Sequence, residues 1–109
     1  MAGASVIPAT VAHSLTEEQF STQVSELAFL CGWRRQYHTQ RSKGSAPGWP
    51  DWVLVRPPEL LAVELKAEKG RLSDAQRDWL QALEMCGVEV YVWKPSQWSE
   101  IQARLGRRA

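Results

Sequence analysis

Residues 51–66 read DWVLVRPPELLAVELK, and this stretch decides the fold. Two strongly apolar runs stand on either side of Pro57 and Pro58, which break regular structure and favour a turn. The stretch therefore predicts a β-hairpin whose strands cover residues 51–55 and 60–66.

The hairpin is expected to bring two carboxylates together. A turn centred between the two prolines places Asp51 opposite Glu64, and directly opposed carboxylates repel each other. A divalent cation between them would remove this repulsion, and hard oxygen ligands favour Mg²⁺ or Mn²⁺. Because side chains alternate along a strand, Lys66 lies on the same face as Glu64. The alternatives are a surface ion pair between Glu64 and Lys66 and a turn role for Asp51.

The rest of the chain predicts a mixed α/β domain with the element order α-β-β-β-α-β-α. Strands are expected over 33–40 and 88–93 in addition to the hairpin, with the last strand parallel to its neighbour and the first three antiparallel. Helices are expected from Thr16 to Gly32, from Ser73 to Cys86 and from Pro95 onward, with a polar loop over 40–50. The predicted organisation is a flexible leader (1–13), one domain (14–105) and a basic tail (106–109).

Two polar side chains fall on the apolar faces of the predicted helices. Glu17 lies in line with Phe20 and Val24 on the first helix, and Gln76 lies on the inward face of the second. Either could reach the carboxylates. Equally, Glu17 could only stabilise the helix dipole, and Gln76 could only form a capping box with Ser73.

Composition limits the classes of function. The chain has 109 residues and a net charge of +1, which suits one domain and excludes a wholly cationic coat, though not a local basic patch. No apolar run reaches the ~18 residues of a membrane span, and no phosphate-loop motif suggests a nucleotide cofactor. A cytoplasmic location is expected, because the first residues make a poor secretory signal and Cys31 and Cys86 fall among core-like residues.

An ordered set of motifs resembles the PD-(D/E)xK nuclease superfamily. Within that superfamily the chain looks like the VRR-NUC family, which includes small stand-alone proteins of phages and prophages. The Val-Arg-Arg string that names the family is absent from this sequence. The resemblance covers roughly residues 16–98 and is carried by Gly48-Trp49-Pro50-Asp51, by Glu64-Leu65-Lys66, and by Gly70-Arg71-Leu72-Ser73 with Gln76 and Trp79.

The resemblance implies a restriction-endonuclease-like fold, a metal site and a catalytic base. Asp51, Glu64 and the main-chain carbonyl of Leu65 would hold the metal, and Lys66 would position or deprotonate the attacking water. The family's acidic residue on the first helix and its glutamine after the E-x-K strand correspond to Glu17 and Gln76.

The residues and the resemblance together predict a Mg²⁺-dependent DNA endonuclease in the cytoplasm of a bacterial or phage-infected cell. The resemblance to stand-alone relatives further implies selectivity for branched or Holliday-junction-like DNA and a homodimer. The alternatives are a nonspecific or nicking nuclease of phage DNA processing, and a non-catalytic DNA-binding or assembly module. Trp49 could stack on a base. Residues 33–43 form a basic run that holds four Arg or Lys residues and no acid, and this run could instead be an ordinary solvated loop. The predicted DNA contacts are Arg34, Arg35, His38, Arg41, Ser42 and Lys43.

Overall fold

The computed structural model describes residue 12 and residues 14–40 and 45–108. Over residues 15–108, apart from 41–44, three helices and four strands follow one another in the predicted order, with a short 3-10 turn before the last helix. In chain order they are α1 (Glu17–Leu30), β1 (Arg35–His38), β2 (Trp52–Arg56), β3 (Glu59–Leu65), α2 (Asp74–Met85), β4 (Glu89–Trp93), the 3-10 turn (Pro95–Gln97) and α3 (Trp98–Gly106).

The four strands form one sheet in the order β1-β2-β3-β4. Trp52 pairs with Val63 and Arg56 pairs with Glu59, so the turn is centred between the two prolines as predicted. The β1–β2 and β2–β3 pairs are antiparallel, whereas β3 and β4 are parallel. The predicted mixed sheet and hairpin register are therefore confirmed.

Each face of the sheet is covered by different helices. On one face, Leu61, Val63 and Leu65 of β3 are buried in the main core, to which α1 and α3 contribute. Alternation along β3 turns Ala62 and Glu64 to the opposite face, where α2 packs. Burying a row of apolar side chains on the first face provides most of the driving force for folding.

Capping boxes begin both long helices where the sequence predicted them. The Thr16 hydroxyl accepts the N–H of Gln19, whose side chain accepts the N–H of Thr16 in return. Ser73 and Gln76 form the same pair at α2. Each box satisfies two N–H groups that the helix itself leaves without partners.

Two expectations need correction. The first strand is shorter than predicted, because Trp33 leaves the sheet edge and buries its ring in the core, donating its indole N–H to the Leu105 carbonyl at 2.9 Å. Cys86 does not lie in the core, because it follows the last turn of α2 and is exposed. Cys31, at the end of α1, is half-buried.

The predicted leader and part of the basic run lie outside the described residues. Of residues 1–13 only Ala12 is described, and it is buried. The predicted contacts Arg41, Ser42 and Lys43 fall within the undescribed residues 41–44. Across the residues that are described, no helix is both long enough and apolar enough to cross a membrane.

Candidate active site

Asp51 and Glu64 meet where β2 begins and β3 ends. The β2–β3 register continues from the Trp52–Val63 pair to place them opposite each other, on the face that α2 covers. Both side chains are buried, and that of Glu64 is wholly inaccessible to solvent. The N–H of Leu65 donates to Asp51 Oδ2 at 2.9 Å, which holds the Asp51 carboxylate against β3.

Burial makes the negative charge of Glu64 costly. Loss of solvent, together with the nearby Asp51 carboxyl group, raises the pKa of Glu64 to about 8, although Lys66 opposes this shift. Among the described residues, Glu64 Oε1 is buried without a hydrogen-bond partner. A buried acceptor beside a second carboxylate requires either a proton or a cation between the two groups.

Lys66 and Gln76 both reach the other oxygen of Glu64. Lys66 Nζ lies 3.9 Å from Glu64 Oε2, and its side chain remains slightly accessible to solvent. Gln76 Nε2 donates to the same oxygen at 3.0 Å. One carboxylate oxygen therefore accepts a hydrogen bond from Gln76 and pairs with the Lys66 charge, while Oε1 has no donor among the described residues.

Gln76 fulfils both interpretations considered from the sequence. Its Oε1 accepts the Ser73 N–H at 2.9 Å, which closes the capping box. Its Nε2 is then directed at Glu64. Because the capping interaction restricts the side chain, the start of α2 positions the amide that contacts the carboxylate.

Gly48 allows the loop before Asp51 to pack against the start of α2. Its backbone has a positive φ of 86°, a region that glycine adopts without steric cost. A Cβ atom at this position would lie 2.4 Å from the main-chain carbon of Ala75. The close approach of these two main chains therefore explains why residue 48 is a glycine.

We expect Gly48→Ala to destabilise the fold and reduce activity more than the same change at Gly87. Gly87 has the same φ of 86° but open space around its Cβ position, so it reports the backbone strain alone. That strain costs about 1–3 kcal/mol in either variant. Urea unfolding of both variants measures the difference, and equal losses would show that the contact with Ala75 has no importance.

Glu17 lies beside the carboxylate pair but does not complete a three-carboxylate centre. Glu17 and Asp51 line one cavity of about 780 Å³ between α1 and the start of β2, and the Glu17 charge contributes weakly to the raised pKa of Glu64. Within the described ranges, no group of three or more His, Cys, Asp or Glu side chains is placed to hold a metal ion. A metal here would depend on two carboxylates and main-chain oxygen.

The described members of the basic run lie apart from the carboxylates. Arg35 begins β1 opposite Val55, about 13 Å along the sheet from Asp51. Arg34 is exposed and covers the ring of Phe29. His38 does reach the cavity beside Asp51, where its ring stacks on Trp52 with centroids 4.3 Å apart. DNA contact by these residues remains a prediction.

The sequence did not indicate one threonine that supports the start of β2. Thr39 donates its N–H to the Asp51 carbonyl at 2.8 Å and its hydroxyl to the Pro50 carbonyl, so it anchors the start of β2. No pattern in the sequence indicated this role.

Comparisons with known proteins agree with this architecture. The model of the VRR-NUC domain family matches residues 7–97. A solved structure of a protein named "VRR_NUC domain protein" superposes with a TM-score of 0.57 at 23% sequence identity, covering 84% of this chain and 91% of that chain. This likeness shows a shared, restriction-endonuclease-like fold. No curated protein matches the chain.

Proposed function

This chain belongs to the VRR-NUC family of nuclease domains, and from that premise we propose that it is a Mg²⁺-dependent DNA endonuclease. The observation that carries the proposal is the buried, opposed pair Asp51 and Glu64, with one oxygen of Glu64 lacking a donor among the described residues. Two carboxylates that cannot both be charged in a buried site suit a divalent cation.

The donor set fits a hard cation such as Mg²⁺, with Mn²⁺ as the alternative. Asp51, Glu64 and the carbonyl of Leu65 would hold it, and all three are oxygen donors. When bound, the ion would lower the pKa of an attacking water and offset charge on the phosphoryl oxygens.

The surrounding side chains have separable tasks in this proposal. Lys66, beside Glu64 and still reached by solvent, is suited to hold or deprotonate the attacking water. Gln76 fixes the orientation of Glu64 through the hydrogen bond from its amide. Glu17 lies across the cavity from Asp51, where it would orient water or a substrate-bound cation.

The oligomeric state, the shape of the substrate and the location are proposed from the resemblance to this family and not from contacts in this chain. We propose a homodimer acting on branched DNA in the cytoplasm of a bacterial or phage-infected cell. A domain of this size has little room for a separate module that reads DNA sequence, and this favours recognition of DNA shape. Light scattering after size exclusion measures the oligomeric state.

We expect Lys66→Ala to abolish cleavage while DNA binding is retained. The purified protein is incubated with supercoiled plasmid and with linear, flap and four-way DNA, in Mg²⁺ or in EDTA. Wild type should cleave only with the metal, and the variant should lose about 10²-fold or more of the rate, as expected when a positioned acid-base group is removed. Binding of the same DNA is measured by fluorescence anisotropy in EDTA.

Lys94→Ala is the matched control, since Lys94 is a half-buried lysine that contacts neither carboxylate in the described structure. Full activity of Lys66→Ala would remove Lys66 from the mechanism. Cleavage by the wild type in EDTA would contradict the requirement for a metal. Metal-independent binding with no cleavage of any substrate would favour the non-catalytic module.

A further inference from the structure

An aromatic groove opens on the sheet next to the carboxylate pair. The groove has a volume of about 450 Å³ and lies over β1 and β2. The helix α2 packs against β4, at the other edge of the sheet. The residues that line this groove are Tyr37, Thr39, Ser45, Ala46, Trp49 and Val53.

The strand register places this groove beside Asp51. Tyr37 pairs with Val53, and Val53 in turn pairs with Ala62. Because side chains alternate, Val53 shares a face with Asp51 and lies two residues, or about 7 Å, from it. Thr39 lines both this groove and the cavity that contains Asp51, so the two spaces share a wall.

The groove presents aromatic surface that is only partly buried by the fold. Tyr37 is 58% exposed, although it lies in the middle of a strand. Trp49 is half-buried and held edge-on against Trp79, with ring centroids 5.0 Å apart and an interplanar angle of 79°. Aromatic rings of this kind stack on nucleobases of any sequence, since every base has a π-face.

An exposed cation precedes the groove residue Tyr37 along β1. Arg35 lies two residues before Tyr37 on the same face of β1 and is exposed. Guanidinium groups neutralise phosphates, while neighbouring aromatic rings hold the bases. Along this face of the sheet the order is therefore Arg35, Tyr37 and then Asp51.

We infer that the groove holds an unpaired nucleobase next to the scissile phosphate. The substrate would then be DNA with single-stranded or unpaired nucleotides at the cleavage point, because a base inside a continuous duplex must be unstacked before it can enter. This inference rests on the proposed nuclease function and assigns its class of substrate.

The test uses 2-aminopurine, a fluorescent base that stacking quenches, placed in the single-stranded arm of a flap oligonucleotide. Binding is measured in EDTA, so that cleavage does not interfere. We expect quenching with the wild type and with Tyr37→Phe. Tyr37→Leu keeps an apolar side chain in the strand without a ring, and should lose both the quenching and about tenfold or more in flap affinity. Its affinity for continuous duplex should stay unchanged.

Met85→Ala is the control, because Met85 is an apolar residue exposed by 81% at the far end of α2. An unquenched probe with the wild type would overturn the inference, as would equal losses of flap and duplex affinity in Tyr37→Leu. Failure of the nuclease proposal would look different from failure of this inference. In that case the wild type would still quench the probe in a way that depends on Tyr37, but it would cleave no DNA in Mg²⁺.

Discussion

Glu64→Gln is expected to abolish cleavage and at the same time stabilise the metal-free fold. The amide keeps the shape of the carboxyl group and can still accept the hydrogen bond from Gln76, while its own N–H₂ can donate towards Asp51. It cannot carry the charge that a divalent cation needs. We expect a loss of about 10³-fold in the cleavage rate, since the metal contributes several kcal/mol.

The stability effect follows from the raised pKa of Glu64. In the folded protein this pKa is about 8, against 4.5 for the unperturbed group, so folded protein holds the proton more tightly than unfolded chain. Between pH 4.5 and 8 the free energy of unfolding therefore falls as pH rises, and it levels off above that range. The free energy of unfolding of Glu64→Gln should not show this decline. At pH 8 without metal, Glu64→Gln should be on the order of 2–4 kcal/mol more stable than the wild type.

Thermal unfolding from pH 5 to 9, with and without Mg²⁺, measures both effects. Added Mg²⁺ should raise the Tm of the wild type at pH 8 and leave that of the variant unchanged, because a ligand stabilises only the state that binds it. Glu84→Gln, at an exposed position on α2, is the control and should match the wild type throughout. A variant that cleaves normally, or a pH profile that the substitution leaves intact, would contradict the assignment.

Arg56→Ala is expected to cause the largest loss of stability. The buried guanidinium donates from Nη1 to the carbonyls of Cys31 and Leu105, both at 2.9 Å, and from Nη2 to the carbonyl of Arg107. It also pairs with Glu59 at 2.7 Å and lies 4.3 Å from the ring centroid of Trp33. One side chain thus joins the ends of α1 and α3 to the hairpin.

Removing this side chain leaves buried carbonyl oxygens without donors and leaves the half-buried Glu59 paired with Arg104 alone. We expect a loss of about 3–5 kcal/mol and a Tm lower by more than ~10 °C. Arg56→Lys should recover part of the loss, because it keeps the charge but not the planar fork.

Arg77→Ala, which breaks an exposed pair with Asp74, is the control for loss of an arginine and should change the Tm little. A Tm of Arg56→Ala within a few degrees of wild type would show that the cluster is dispensable. Arg56 lies about 16 Å along β2 from Asp51, so the folded fraction of the variant should still cleave at the normal rate.

A second arginine extends the same cluster. Arg104 of α3 donates to Glu59 at 2.7 Å and to Glu89 at 2.6 Å, and Tyr91 donates its hydroxyl to Glu89. Hydrogen bonds from Arg56 and Arg104 lower the pKa of Glu59 to about 2. In the sequence these charges look like ordinary surface residues, since they are spread over residues 56–104 and only the packing of α3 on the hairpin assembles them.

The elements that could be predicted are those defined by neighbouring residues. Pro57 and Pro58 determine where the hairpin turns, and counting outward from them places Asp51 opposite Glu64. Thr16 and Ser73 begin helices because their hydroxyls accept an N–H only three residues away. These interactions act within one turn or one strand pair, so they can be identified without knowing the rest of the fold.

By itself, then, the sequence determined the elements, the hairpin register and the family, because turn geometry, alternation and helix capping are short-range. Only the tertiary structure decided that Gln76 serves the cap and Glu64 together, that Gly48 must approach Ala75, and that Tyr37 opens a groove beside the carboxylates. The raised pKa of Glu64 belongs to the second group. Desolvation depends on every element packed around a residue, and that packing is a property of the whole fold.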